Sequence, residues 1–132
     1  MAKSKVAIIA ANGSMFDAYK VFNIATAAAA SDAEVGIFFT FEGLQLIHQE
    51  SHKQLPMPEG KEHFQKGFEK ANVPPIAELV EVAQDLGVKM IACQMTMDVM
   101  NLALKDFVDG VEAGGAASFI DFAKDANISL SF

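Results

Sequence analysis

An α/β fold with a mostly parallel sheet and helices on both faces is predicted by three features of this 132-residue sequence. Short apolar runs alternate with stretches of helical period, the order β-α-β-α that builds parallel sheets. The runs end at turn signals such as Asn12-Gly13 and Thr40-Phe41-Glu42-Gly43. The first run, Val6 to Ala11, is continuously apolar, the pattern of a strand buried on both faces.

The elements follow in order. After that first strand, Ser14 with Asp17 three residues on resembles a capping box, and Met15, Ala18, Tyr19, Phe22, Ala25 and Ala29 keep a helical period to about Ser31. Glu34 to Phe39 is β-branched and aromatic and reads as a second strand. A short helix is expected over Leu44 to Gln49. From about 50 to 73 the chain turns polar and loses its period, with Pro56, Pro58, Gly60 and Gly67 interrupting it, so a lid or insertion is expected there within one domain spanning 1–132. Pro74-Pro75 precedes a helix marked by Ile76, Leu79, Val80, Ala83 and Leu86 and ended by Gly87. Val88 to Ala92 is a third strand. The helix after Cys93 is apolar on more than one side, with Met95, Val99 and Leu102 on one and Met97, Met100 and Leu104 on another, which predicts a subunit interface. Phe107 to Val111 is expected as a brief fourth strand. Gly114-Gly115 opens a last helix to about Asp125, and Ile128 to Phe132 forms a terminal strand.

Composition narrows the function. The net charge is −7, and all ten basic residues are lysine. Nucleic acid is disfavoured as a partner, because neutralising phosphates needs a basic face and bidentate phosphate contacts favour arginine. A basic protein surface is the better expectation. No apolar stretch approaches the roughly 20 residues of a membrane span, and the basic start at Lys3 and Lys5 precedes an apolar run too short for a secretory signal. The reading is a cytoplasmic protein.

Cys93 is the only cysteine. It stands where the third strand hands over to a helix, and in open parallel sheets ligands bind outside the carboxyl ends of the strands. At a helix N-cap its sulfur would face the N–H groups of Met95 and Thr96, with the Thr96 hydroxyl on the same side. Each of these donors favours the thiolate. The same position equally suits a buried, inert cysteine. Two other strand ends, Asn12-Gly13-Ser14 and Thr40 with Glu42, are expected at the same edge. Gly114-Gly115 would allow an anion close to the last helix.

Other chemistry is weaker. His48 and His52 are spaced i,i+4 and His63 lies nearby, which admits a metal-binding module or a histidine carried over Cys93 by a lid. Met90, Met95, Met97 and Met100 could be cast as a copper site, although methionine at helical spacing is usually core or interface filler. The glycine pattern matches neither a dinucleotide fingerprint nor a P-loop, so no cofactor and no metal is assigned.

The stretch from Gly87 to Met100, Gly-Val-Lys-Met-Ile-Ala-Cys-Gln-Met-Thr-Met-Asp-Val-Met, followed by Gly114-Gly115-Ala116-Ala117-Ser118-Phe119 and a terminal strand, closely resembles the DsrE/DsrF/DsrH-like sulfur-trafficking family, in particular its DsrE2-type branch. The resemblance covers nearly the whole chain. It implies a three-layer α/β/α domain with a five-stranded parallel sheet, assembled as a homotrimer or homohexamer. It also implies a sulfur carrier or sulfurtransferase that holds sulfane sulfur on one cysteine as a persulfide or thiosulfonate. Exchange would be with a TusA-like small sulfur carrier or a rhodanese-like protein. Cys93 matches the sulfur-carrying cysteine, and Thr96 matches the Ser or Thr three residues later. Asn101 departs from the usual glycine, but Asn tolerates the left-handed conformation that such a turn needs. The alternative is a non-catalytic assembly protein of the same fold.

Overall fold

A computed structural model describes residues 3–132. Five strands form one sheet: β1 (Lys5–Ala10), β2 (Glu34–Phe39), β3 (Lys89–Cys93), β4 (Val111–Gly114) and β5 (Ile128–Ser131). Their spatial order is β4-β3-β2-β1-β5, and every neighbouring pair is parallel. Parallel neighbours need crossovers, which α1 (Met15–Ala30), α3 (Ile76–Asp85), α4 (Gln94–Val99) and α5 (Ala116–Ala123) help to supply.

The strand period of two divides the core. Ile8, Ile37, Met90 and Ala92 point to the face covered by Val21 and Phe22 of α1 and Val80 and Ala83 of α3. Ala7, Phe38, Ile91 and Cys93 point to the other face, where Phe119 and Phe122 of α5 pack and Phe38 stacks on Phe119 at 5.3 Å. Cys93 therefore belongs to the smaller of two cores, the one beneath a single short helix.

Helix ends are set by local chemistry. The Ser14 hydroxyl accepts from the Asp17 N–H (3.2 Å) while Asp17 Oδ2 accepts from the Ser14 N–H (3.1 Å), a reciprocal capping box at the start of α1. At the other end, α1, α2 (Phe64–Lys70), α3 and α4 each close through a left-handed residue, respectively Asp32, Asn72, Gly87 and Asn101. In each, the next residue's N–H returns to a carbonyl in the last turn: Ala33 to Ala28, Val73 to Phe68, Val88 to Ala83 and Leu102 to Met97. Asn101, at φ 55°, adopts the conformation that glycine would favour.

Three expectations from the sequence are corrected. The fourth strand is Val111–Gly114 rather than Phe107 to Val111. Phe107 is buried because it forms an isolated antiparallel bridge with His48 and packs in the larger core, outside the sheet. The helix expected over Leu44 to Gln49 is a 3₁₀ segment at Phe41–Leu46, seated tightly because Gly43 approaches the Ala10 carbonyl where no Cβ would fit. The helix after Cys93 stops at Val99, since Asn101 reverses the chain before Leu102 and Leu104.

The polar stretch, finally, is more ordered than its composition suggests. It holds a 3₁₀ turn at Ser51–Lys53 and the helix α2. Phe64 and Phe68, one turn apart, press on α1: Phe16 meets the Phe64 ring edge-on at 5.0 Å, and Tyr19 stacks on Phe68 at 4.9 Å. Hydrogen bonds from Met15 N–H to the Pro56 carbonyl (2.8 Å) and from the Tyr19 hydroxyl to the Pro74 carbonyl (2.8 Å) fasten both ends.

Candidate functional site

No loop separates β3 from α4. Cys93 is both the last strand residue, paired with Gly114 of β4, and the N-cap of the helix, with φ −63° and ψ 116°. Its side chain is only 6% exposed.

Thr96 lies beneath it, 2% exposed, at the meeting point of two strand ends. Its Oγ1 accepts the Phe41 N–H at 3.2 Å and stands 3.4 Å from Thr40 Oγ1. With Thr96 Oγ1 accepting from Phe41, its hydroxyl proton goes to the sulfur when Thr40 is the donor of the threonine pair. Phe41 is an exposed non-glycine residue at φ 48°, a conformation that costs about 1–2 kcal/mol in most residues and here aims its N–H at Thr96.

Burial pushes the Cys93 thiol up. Against it act the Thr96 hydroxyl and N–H, then the Thr40 hydroxyl and the Met95 N–H, and the balance leaves the thiol below its ordinary value of 9.0. Sγ closes no cap hydrogen bond of good geometry. A neutral thiol is a weak acceptor, so these donors act mainly on the charged form. The nearest acid in sequence, Asp98, is held by the Gln94 amide at 3.0 Å and takes no part.

The remaining sequence candidates fall into two groups. Thr40 joins the Cys93 cluster directly, and Gly114 does so through the sheet register, with Gly115 next to it as the N-cap of α5. Gly13 packs against the Glu42 carbonyl, where an added Cβ would sit 2.6 Å from the oxygen, and Ser14 is engaged in capping α1. Asn12 and the Glu42 side chain are exposed and make no hydrogen bond to Cys93 or Thr96. Phe41 was not among the candidates. A backbone N–H that acts through an unusual φ leaves no mark in residue type beyond the adjacent Glu42-Gly43 turn.

The histidines do not converge. His48 Nδ1 accepts the N–H groups of Glu50 and Ser51 at 3.2 Å, His52 is buried against the His48 carbonyl, and His63 packs on Phe64. Among the described residues, no three His, Cys, Asp or Glu side chains are placed to hold a metal ion. Met90 and Met97 are core residues while Met95 is more than half exposed, so the methionines form no common site. No helix among the described residues is long and apolar enough to cross a membrane.

The sequence profile of the DsrE/DsrF/DrsH-like family matches residues 2–67 and 57–131, together nearly the whole chain. This chain belongs to that family. A DsrE-like relative from Allochromatium vinosum, named sulfur carrier protein DsrE2, is 37% identical over 98% of this chain and 99% of its own length. The Bacillus subtilis protein YrkE, whose name carries no function, is 29% identical over 96% and 95%. Among solved structures, the ychN protein of E. coli matches with a TM-score of 0.66 at 21% identity, over 98% of this chain and 99% of that one. MTH1491 of Methanobacterium thermoautotrophicum matches with a TM-score of 0.69 at 11% identity, over 97% of both chains. These two share the overall α/β fold of this chain, and its five-stranded parallel sheet with helices on both faces is the arrangement that the family resemblance implies.

Proposed function

We propose that this DsrE-like protein carries sulfane sulfur on Cys93 as a persulfide and exchanges it with a partner protein. The observation that carries the reading is the placement of Cys93 at a strand end and helix N-cap, with the buried Thr96 and its neighbour Thr40 at the same edge, an arrangement in which hydroxyl and N–H donors lower the thiol pKa. The name of the Allochromatium relative supports it.

In loading, the Cys93 thiolate attacks the outer sulfur of a partner persulfide. A new S–S bond forms on Cys93, the partner's S–S bond breaks, and the partner leaves as a thiolate. Discharge is the reverse, with an acceptor thiolate attacking the outer sulfur and Cys93 departing. No net oxidation occurs in either direction, so no external electron carrier is needed. A low-pKa thiol leaves faster, which makes the same donors useful in both steps.

The chain has one cysteine, so the second thiol must come from the partner. A TusA-like carrier or a rhodanese-like protein supplies that chemistry. Met95 and Val99, one turn apart on α4, are exposed together with Phe41 and Leu104. That apolar surface beside Cys93 fits a homotrimer or homohexamer interface.

One observation favours a second reading, a packing cysteine in an assembly protein: Cys93 is 6% exposed. Intact mass separates the two. The folded protein is incubated with polysulfide, thiosulfate or a persulfidated carrier, then measured before and after reductant with Cys93→Ser as control. The carrier predicts a reducible adduct of sulfur on the wild type alone. No adduct from any donor, with a thiol inert to alkylation until unfolding, leaves the assembly protein.

A further inference from the structure

The face of the sheet opposite Cys93 has a second polar site. A cleft of about 350 Å³ lies between α3, the 3₁₀ turn at Ser51–Lys53 and the chain at Val108 and Asp109. It shares no residue with the Cys93 cluster. Its α3 wall is a single helical stripe, Ala77, Val80 with Glu81, and Gln84, at the spacing that puts residues on one face.

His52 is the unusual member. It is 7% exposed and donates from Nδ1 to the His48 carbonyl at 2.7 Å, which fixes the tautomer of the neutral ring and leaves the Nε2 lone pair as an acceptor. No protein group hydrogen-bonds Nε2 among the described residues, yet no fully buried side-chain nitrogen or oxygen lacks a partner. Nε2 therefore keeps some exposure, and His52 is one of the residues that line the cleft.

The cleft is also lined by Glu50, Glu81 and Asp109, none of them in a salt bridge among the described residues, against one cation, Lys53. The amide N–H groups of Gln49 and Gln84 are taken by the carbonyls of Lys105, Phe107 and Asp109, which leaves their oxygens as further acceptors. The lining is thus rich in acceptors and net negative. A bare metal ion is a poor fit, because no three ligating side chains converge. A ligand that spreads several N–H donors over separated acceptors is a good one.

We propose that this cleft binds a primary alkylammonium group, with His52 Nε2 and the Glu81 carboxylate as acceptors. The group could come from a free amine or from a lysine side chain of a partner protein. The inference is independent of sulfur carriage by Cys93.

The test is a titration of the intact protein followed by the imidazole NMR signals of His52. Three cations at matched ionic strength are compared: 1,4-diaminobutane, a glycine-flanked peptide with one lysine, and tetramethylammonium, which has no N–H donor. The expected result is a saturable one-to-one shift with at least one of the first two, absent with tetramethylammonium. The tighter of the two identifies the source. Glu81 is exposed, so Glu81→Gln leaves folding intact and should weaken binding about tenfold, equivalent to about 1.4 kcal/mol. A shift that never saturates, one that tetramethylammonium reproduces, or saturable binding by zinc but by neither amine would overturn the proposal.

Discussion

Replacing Thr96 by valine keeps shape and removes one hydroxyl from the sulfur. Thr96 is 2% exposed, so no water takes the place of the lost donor. A hydrogen bond to a charged group contributes about 1.5–3 kcal/mol, which at pH 7 lowers the thiolate fraction roughly 10- to 100-fold. The thiolate that remains is more basic and more nucleophilic. With a Brønsted coefficient near ~0.5, about half of the loss on a logarithmic scale is recovered. Alkylation of Cys93 by iodoacetamide should therefore slow about three- to tenfold at pH 7, and its pH midpoint should rise. Thr40 Oγ1, 3.4 Å from Thr96 Oγ1, survives the change and holds the effect toward the lower figure. Thr96→Ser keeps the hydroxyl and should behave as wild type. A valine variant that alkylates at the wild-type rate with an unmoved pH profile would refute the donor argument, whatever its stability.

The lowered Cys93 pKa also makes stability depend on pH. The unfolded thiol binds its proton more tightly, so the contribution is fully present above the ordinary value of 9.0 and is lost as pH falls through the lower folded value. Urea midpoints of wild type should gain on those of Cys93→Ser as pH rises toward 9.0, and parallel curves would contradict the lowered pKa. Asn101→Ala should cost about 1 kcal/mol in urea unfolding, because alanine takes the left-handed conformation less readily than asparagine. Phe68→Ala removes the Tyr19 stack and should raise protease cleavage within 56–73 while the global unfolding midpoint moves less. Equal resistance in the two proteins would mean that the aromatic contacts do not hold this segment.

Much of the fold was legible because buried parallel strands announce themselves. β1, β2 and β3 are continuous apolar runs, and the Ser14-Asp17 pair marks the start of α1 by its chemistry. β4 was misplaced because it is an edge strand of Val, Glu, Ala and Gly with little to bury, while the nearby Phe107 is buried by a bridge that no period reveals. α2 was missed since Gly67 hides a helix of seven residues whose apolar content is Phe64 and Phe68. At the site, the pairing of Cys93 with Thr96 follows from helix spacing, and Thr40 follows from the rule that strand ends share an edge. The Phe41 N–H could not be foreseen, because a backbone donor is aimed by φ and not by residue type.

The absence of any loop between β3 and α4 has a mechanical meaning. Cys93 is pinned on one side by the sheet ladder and on the other by the first helical turn, so it cannot swing. Delivery systems that shuttle a group between stations need one mobile arm, and if Cys93 carries sulfur as proposed, its thiol is the fixed station. On that reading the motion comes from the visiting chain, which brings its own sulfur to the β3–α4 junction. Exchange should then follow the concentration of the visitor, and tethering visitor and station on one linker should accelerate it without any new contact at the sulfur.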